Sequence, residues 1–216
     1  RLLRDAGIPT PDWITLRDGK EGWKHFHEVS ARLGLPLIVK PPSGGSTLGL
    51  SLVHDQTEFR TAVQLALEFQ DQVMFEAYVR GREFTVGVLG TEALPVGEII
   101  PAHELFDYEC KYQPGLAQEI FPADLEGRVA SELQAYALST HEVLRLRDFS
   151  RVDFILDEGG TPWCLEANAL PGLTGNSLVP KSAGAAGISF PSLCRRLAGM
   201  AFQRRERGEG TGDIGS

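Results

Sequence analysis

The stretch Ser150-Arg151-Val152-Asp153-Phe154-Ile155-Leu156-Asp157-Glu158-Gly159-Gly160-Thr161-Pro162-Trp163-Cys164-Leu165-Glu166-Ala167-Asn168 reads as two β-rich runs around an Asp-Glu-Gly-Gly turn signal. A turn centred between Gly159 and Gly160 sets Asp153 opposite Glu166 and Arg151 opposite Asn168. Side chains alternate along a strand, so these four share one face, while Val152, Phe154, Leu165 and Ala167 point to the other. Two carboxylates directly opposed across a ladder are destabilising. A hard cation taking oxygen ligands removes that repulsion, and Mg2+ is the usual choice beside phosphates. The alternative is a solvated polar face on which Arg151 pairs one of the carboxylates.

Around this hairpin lies a chain of 216 residues, enough to bury a core as one domain or two small ones. Its 42% hydrophobic and 23% charged residues are ordinary for a soluble globular protein. A net charge of −8 argues against nucleic acid as the main partner. No apolar run reaches the length of a membrane span, and no signal-peptide pattern opens the chain. Cys110, Cys164 and Cys194 are odd in number and far apart, which suggests neither a zinc site nor a disulfide framework and fits a reducing cytoplasm.

Outward toward the N-terminus, Glu83–Leu89 alternates as a half-buried strand, followed by a second over Leu94–Ile100. Val73–Val79 is strand-like and leads to a turn at Arg80-Gly81. The form carboxylate, apolar stretch, turn, carboxylate from Glu76 to Glu83 suits either an ordinary hairpin or a purine edge and ribose contact. A helix starts near Thr57. Pro36-Leu37-Ile38-Val39-Lys40 ends in a lysine and enters the small-residue loop Pro41–Gly49, after which Leu50–Val53 resumes strand character. Strand, Gly/Ser loop, strand is a hairpin, not the strand-loop-helix of a Walker A site. Backbone amides and Lys40 there form a cradle for phosphate, or a plain surface turn. Arg1–Gly7 reads as a helical run that begins mid-fold, as expected of a piece of a longer protein.

Residues 101–119 lack periodicity and carry Lys111-Tyr112, a pair suited to neutralising phosphate charge and covering a site, or to decorating a loop. A helix is predicted over 125–146, a Gly/Pro/Ser-rich loop over Leu170–Pro180, and a closing helix from Pro191 to about Phe202. In the loop, Gly172 permits close backbone approach and Ser177 can bind a carboxylate. From Arg204 the chain has almost nothing to bury and is expected to be a disordered tail.

In this order, Val39-Lys40-Pro41 with its Gly/Ser loop, the Glu76–Glu83 segment, Asp107-Tyr108-Glu109-Cys110-Lys111-Tyr112, Arg151-x-Asp153, Glu166-x-Asn168 and Pro171-Gly172-x-Thr174 resemble the ATP-grasp fold. The Asp107–Tyr112 run and Asn176-Ser177-Leu178-Val179-Pro180 look specifically like the D-alanine–D-alanine ligases, over roughly residues 1–203. The resemblance implies an α+β fold of two subdomains with antiparallel sheets enclosing a nucleotide cleft. Residues 1–82 would form the central subdomain, 83–203 the C-terminal one, and 204–216 the tail. It implies that ATP phosphorylates one D-alanine, and that the amine of a second displaces phosphate through a tetrahedral intermediate, for peptidoglycan precursor synthesis.

The same resemblance assigns roles. Lys40 and Lys111 would contact ATP phosphates; Glu76, Tyr78 and Val79 would line the adenine pocket; Glu83 would hold the ribose. Asp153, Glu166 and Asn168 would coordinate two Mg2+ ions, with Mn2+ as a substitute. Arg151 and the Gly172 amide would stabilise the oxyanion, and Ser177 with the Leu178 amide would hold the second substrate's carboxylate. Ser46 and Tyr112 would join a hydrogen-bonded group closing a loop over the site. Tyr112 favours an amine nucleophile over a hydroxy acid. Thr47 and Ala169 depart from the more usual Ser and Thr, without touching an essential charge. Family ligases carry an N-terminal domain that supplies a Glu, a His and a Lys not placed in this chain; a homodimer is expected of the complete protein. Two alternatives stay open: another ATP-grasp carboxylate–amine ligase, and a nucleotide-binding fragment without activity.

Overall fold

The computed structural model describes residues 1–43, 48–101 and 117–206. The chain divides into two compact units, one made of Thr10–Gly81 and Ile99–Gln118, the other of Arg1–Pro9, Arg82–Glu98 and Glu119–Ser216. Antiparallel strand pairs with helices packed on them make the fold α+β.

The first unit is built on a four-stranded sheet in the order β1-β4-β2-β3, with β1 Trp13–Leu16, β2 Leu37–Lys40, β3 Ser51–Val53 and β4 Val73–Ala77. Short, β-branched and apolar, β2 pairs with β3 as a hairpin (Leu37 opposite Val53, Val39 opposite Ser51), as its sequence predicts. Its other edge pairs with β4, Ile38 opposite Glu76. Helices α2 (Phe26–Leu33) and α3 (Gln56–Leu67) cover one face, and the core joins Val29, Leu37, Val39, Val53, Phe59, Val63 and Phe75. Asp55 caps α3 by accepting from the Thr57 and Glu58 amides, which satisfies two of its orphan donors.

The second sheet has six strands: β5 (Gly81–Leu89) lies inside the order β10-β9-β5-β7-β8, with β6 Glu92–Ala93 also paired to β5. The partners are β7 Gly97–Pro101, β8 Ala117–Ile120, β9 Phe149–Asp157 and β10 Pro162–Asn168. Helix α4 (Gly127–Val143) packs Leu133 and Ala137 against Phe84, Val86, Val88, Val152 and Phe154. The expectation of a half-buried β5 is corrected: Phe84 through Leu89 are all buried. Phe84, Val86 and Val88 face the α4 core, whereas Leu89 joins a separate cluster with Val179, Ala183 and Leu193. The other face of the strand is therefore covered as well. β4 and β5 also lie in different sheets, so Glu76–Glu83 is a connection between sheets and not a hairpin.

Three further expectations shift. α1 (Leu2–Asp5) and Ile8 belong with the second unit, because Ile8 is buried against Phe84, Leu133 and Cys164 and the Cys164 amide donates to the Pro9 carbonyl. The loop read over Leu170–Pro180 gives way to helix α5 (Leu178–Ala185), which tolerates Pro180 because a first-turn residue needs no intrahelical donor. The closing helix, α6, runs Phe190–Glu206, past the start of the expected tail, and Arg204 pairs with Asp148. The rest of the tail, 207–216, lies outside the described residues.

Candidate functional site

The acidic hairpin forms with Asp153 opposite Glu166 and Arg151 opposite Asn168, as predicted, but by a different route. Near the turn, Leu156 faces Pro162 and Phe154 faces Cys164, which centres the turn on Gly159. A register shift between Cys164 and Glu166 then adds one residue to β10 and restores the predicted pairs. The turn itself is a three-residue loop: the Asp157 amide donates to the Thr161 carbonyl, the Gly160 amide donates to the Asp157 carbonyl, and Gly160 has φ +82. Asp157 reinforces it by accepting from Trp163 Nε1 (2.7 Å) and the Thr161 amide (2.8 Å), which hold its carboxyl below its usual range. Because of the bulge, Cys164 rather than Leu165 enters the core opposite Phe154. Burial pushes the Cys164 thiol up to about 12.

On the polar face, Asp153 is buried and Glu166 is half open, with side chains 9% and 50% exposed. Arg151 forks onto Asp153, Nε donating to Oδ1 at 2.9 Å and Nη2 to Oδ2 at 2.8 Å. Its Nη2 is 3.9 Å from Glu166 Oε1. Asn168 Nδ2 reaches Asp153 Oδ2 and Glu166 Oε1, each at 3.3 Å. The four residues read from the sequence as one face are thus one hydrogen-bonded group. Burial disfavours the Arg151 charge, yet Asp153, Glu166 and Glu83 outweigh it and hold its pKa above the ordinary value. Arg151 thus pairs one carboxylate, the feature that the alternative reading of this face expects.

Sequence reasoning missed Thr85. Its Oγ1 donates to Asp153 Oδ1 at 2.7 Å from the middle of β5, and the residue is 1% exposed. The only trace in the sequence is its place two residues beyond Glu83, on the same strand face.

All the metal candidates are oxygen donors, two carboxylates and one carboxamide, which suits a magnesium ion completed by phosphate and water oxygens. Among the described residues no cluster of three or more His, Cys, Asp or Glu side chains is placed to hold a metal by itself.

Beyond the hairpin, a Cβ built on Gly172 would lie 2.9 Å from Ser177 Oγ, so a side chain there would displace that hydroxyl. Ser177 Oγ accepts from the Thr174 amide at 3.1 Å and lies 2.9 Å from Thr174 Oγ1. Ser177 and Leu178 stand at the N-terminal end of α5, where backbone amides lack intrahelical partners. In the first unit, Lys40 Nζ donates to Glu76 Oε1 at 2.8 Å. Tyr78 and Val79 occupy the segment between β4 and β5, and Glu83 lies on β5. Ser46, Lys111 and Tyr112 lie outside the described residues.

Comparison with known proteins extends this arrangement to nearly the whole chain. A D-alanine–D-alanine ligase from Desulfotalea psychrophila is 39% identical over 212 residues, 95% of this chain and 65% of the relative. The crystal structure of the Bacillus anthracis D-alanine–D-alanine ligase superimposes with a TM-score of 0.83 at 34% identity, covering 96% of this chain and 66% of that one. That ligase has also been solved complexed with ATP (TM-score 0.77, 30% identity, 95% of this chain and 63% of that one). The VanG D-Ala:D-Ser ligase of Enterococcus faecalis gives 0.82 at 30% identity, covering 92% and 59%. The chain thus spans about two thirds of the length of the curated relatives it matches, 65% in the first case. The model of the family described as the D-ala D-ala ligase C-terminus matches residues 2–198, which takes in every described strand and the whole acidic hairpin, and the chain belongs to that family.

Proposed function

We propose that this chain is the nucleotide- and metal-binding portion of an ATP-dependent D-alanine–D-alanine ligase. The observation that carries the reading is the polar face of the β9–β10 hairpin, where Asp153, Glu166, Asn168 and Arg151 converge. Asp153, Glu166 and Asn168 would hold Mg2+ or Mn2+, with Asn168 turning its amide to offer Oδ1. Such a cation, when bound, supplies neutralisation of phosphate charge. Arg151 and the Gly172 amide would stabilise negative charge on the oxygen of the reacting carboxyl. Ser177 and the Leu178 amide would hold the carboxylate of the second amino acid, and the fixed Gly172–Ser177 approach supports that placement.

Lys40 is proposed for ATP phosphate, Glu76, Tyr78 and Val79 for adenine, and Glu83 for ribose. Lys111 is proposed for phosphate, and Ser46 and Tyr112 for closing a loop over the substrates. Catalysis is then mainly positioning and charge neutralisation, with no covalent enzyme intermediate. The D-alanyl phosphate formed first is attacked by the amine of the second D-alanine, and the dipeptide feeds peptidoglycan precursor synthesis. No described helix is long and apolar enough to cross a membrane. A cytoplasmic location is proposed from the cysteine usage, and a homodimer from the family resemblance.

The test is phosphate release from ATP by the full protein as the amino acid is varied. Stimulation by D-alanine is expected; its failure to stimulate would exclude the reading. A second reading, ligation of D-alanine to a different amine acceptor such as D-serine, draws on the likeness to the D-Ala:D-Ser ligase. The identity of the dipeptide formed from mixed acceptors separates the two.

A further inference from the structure

Thr85 occupies a position where an interior strand ordinarily carries an apolar residue. Its same-face neighbour Leu89 is buried in an apolar cluster, and a Cβ on Gly87 would touch Leu94 at 3.0 Å. Valine has the same shape as threonine without the hydroxyl. A hydroxyl in this setting costs free energy unless it is hydrogen-bonded. This hydroxyl donates to Asp153 Oδ1, 2.7 Å away and 68 residues along the chain.

A carboxylate has about four lone-pair sites. At Asp153 they are taken by Thr85 and Arg151 on Oδ1, and by Arg151 and Asn168 on Oδ2. A cation binding Asp153 must therefore exchange with one of these donors. Asn168 gives up its contact on Oδ2 once its amide turns to offer Oδ1, and Arg151 yields on the same oxygen, because a cation replaces its charge and the guanidinium is partly exposed. Thr85 is almost fully buried and has no water to turn to, so it stays. On this basis, and resting on the function proposed above, we infer that Thr85 is a positioning residue: its hydroxyl pins the Asp153 carboxylate from the sheet interior while a divalent cation takes over contacts that Asn168 and Arg151 make on Oδ2.

Binding of Mn2+ in the presence of ADP, followed by loss of the free-ion electron paramagnetic resonance signal, tests this on the full chain. Thr85→Val is expected to weaken Mn2+ binding by about 10–100-fold, the usual consequence of removing the hydrogen-bond partner of a metal ligand. Thr85→Ser keeps the hydroxyl and is expected to stay near the native affinity. Native affinity in Thr85→Val, or a Thr85→Ser as weak as Thr85→Val, overturns the inference. Asp153→Asn separates it from the reading beneath it. If that variant binds Mn2+ like the native chain, Asp153 is no ligand and both ideas fall. If it loses Mn2+ while Thr85→Val retains it, only the role of Thr85 falls. Should Thr85→Val not fold, Thr85→Ala, which removes the hydroxyl without adding bulk, replaces it with the same outcomes.

Discussion

Lys40 and Glu76 form an ion pair across β2 and β4, Nζ to Oε1 at 2.8 Å, with side chains only 24% and 14% exposed. Ile38 is the direct partner of Glu76 in the ladder, so Lys40 reaches along the sheet to a diagonal neighbour. The proposed phosphate ligand and a proposed adenine-pocket residue thus hold each other in place. Lys40→Met should leave a mostly buried carboxylate unpaired and lower stability by about 1–3 kcal/mol. Urea unfolding would measure this, and ADP calorimetry would register weaker nucleotide binding in the same variant. A Lys40→Met chain as stable as the native one would show that the pair contributes nothing.

Glu166 has the opposite setting. Half exposed, it touches Asn168 at 3.3 Å and lies 3.9 Å from Arg151. Glu166→Gln should therefore change stability by less than about 1 kcal/mol. Metal-dependent nucleotide binding should nevertheless weaken about tenfold or more. Calorimetry with and without Mg2+ is the measurement; unchanged metal-dependent binding removes Glu166 from the site.

At Gly172 any side chain would press on Ser177 Oγ. Gly172→Ala is expected to displace that hydroxyl and lower kcat/KM for the second amino acid by about 10–100-fold, the scale of a small misplacement. Steady-state kinetics with the acceptor varied would show the loss, and thermal unfolding should stay near native because the contact lies in an exposed loop.

Stability should depend on pH through His141. Its Nδ1 lies 2.7 Å from Ser150 Oγ in the interior, facing Asp148, which Arg204 in turn pairs. Burial lowers the imidazole pKa below its ordinary 6.5, against the opposing pull of Asp148. Between the lowered native value and 6.5 the unfolded chain binds the proton and the folded chain does not. Stability from this residue is thus complete above that window and declines as pH falls through it. Urea midpoints across the window should fall with pH, and His141→Gln should flatten the slope.

Thiol chemistry gives a further check. Cys194 is exposed and Cys164 is buried with its thiol pushed up to about 12. In the native protein an alkylating reagent should modify Cys194 at mildly alkaline pH and leave Cys164 untouched until denaturant is added, as read by peptide mass spectrometry. Early labelling of Cys164 would contradict the packing around it.

The strand faces were legible because alternation is a local property. Asp153 and Val152 must point to opposite sides of β9 whatever else the chain does, and the Asp157–Gly160 turn brings β10 alongside. Even so, the predicted pairing holds only because a turn centred half a residue away from the expected place is compensated by the bulge next to Leu165. Helix α5 escaped detection for a local reason too: Pro180 reads as a breaker, although in a first turn it breaks nothing.

From its sequence alone the chain determined which residue types line the hairpin, that Asp153, Glu166, Arg151 and Asn168 share a face, and that its motif order belongs to ATP-grasp ligases. Tertiary structure decided who partners whom at long range: Thr85 beneath Asp153, Lys40 against Glu76, and Ile8 in the core of the second unit. The division has a physical cause. Side-chain direction follows from the backbone period within a few residues, whereas a buried donor's partner depends on which distant strand packs beside it, and no local pattern records that choice.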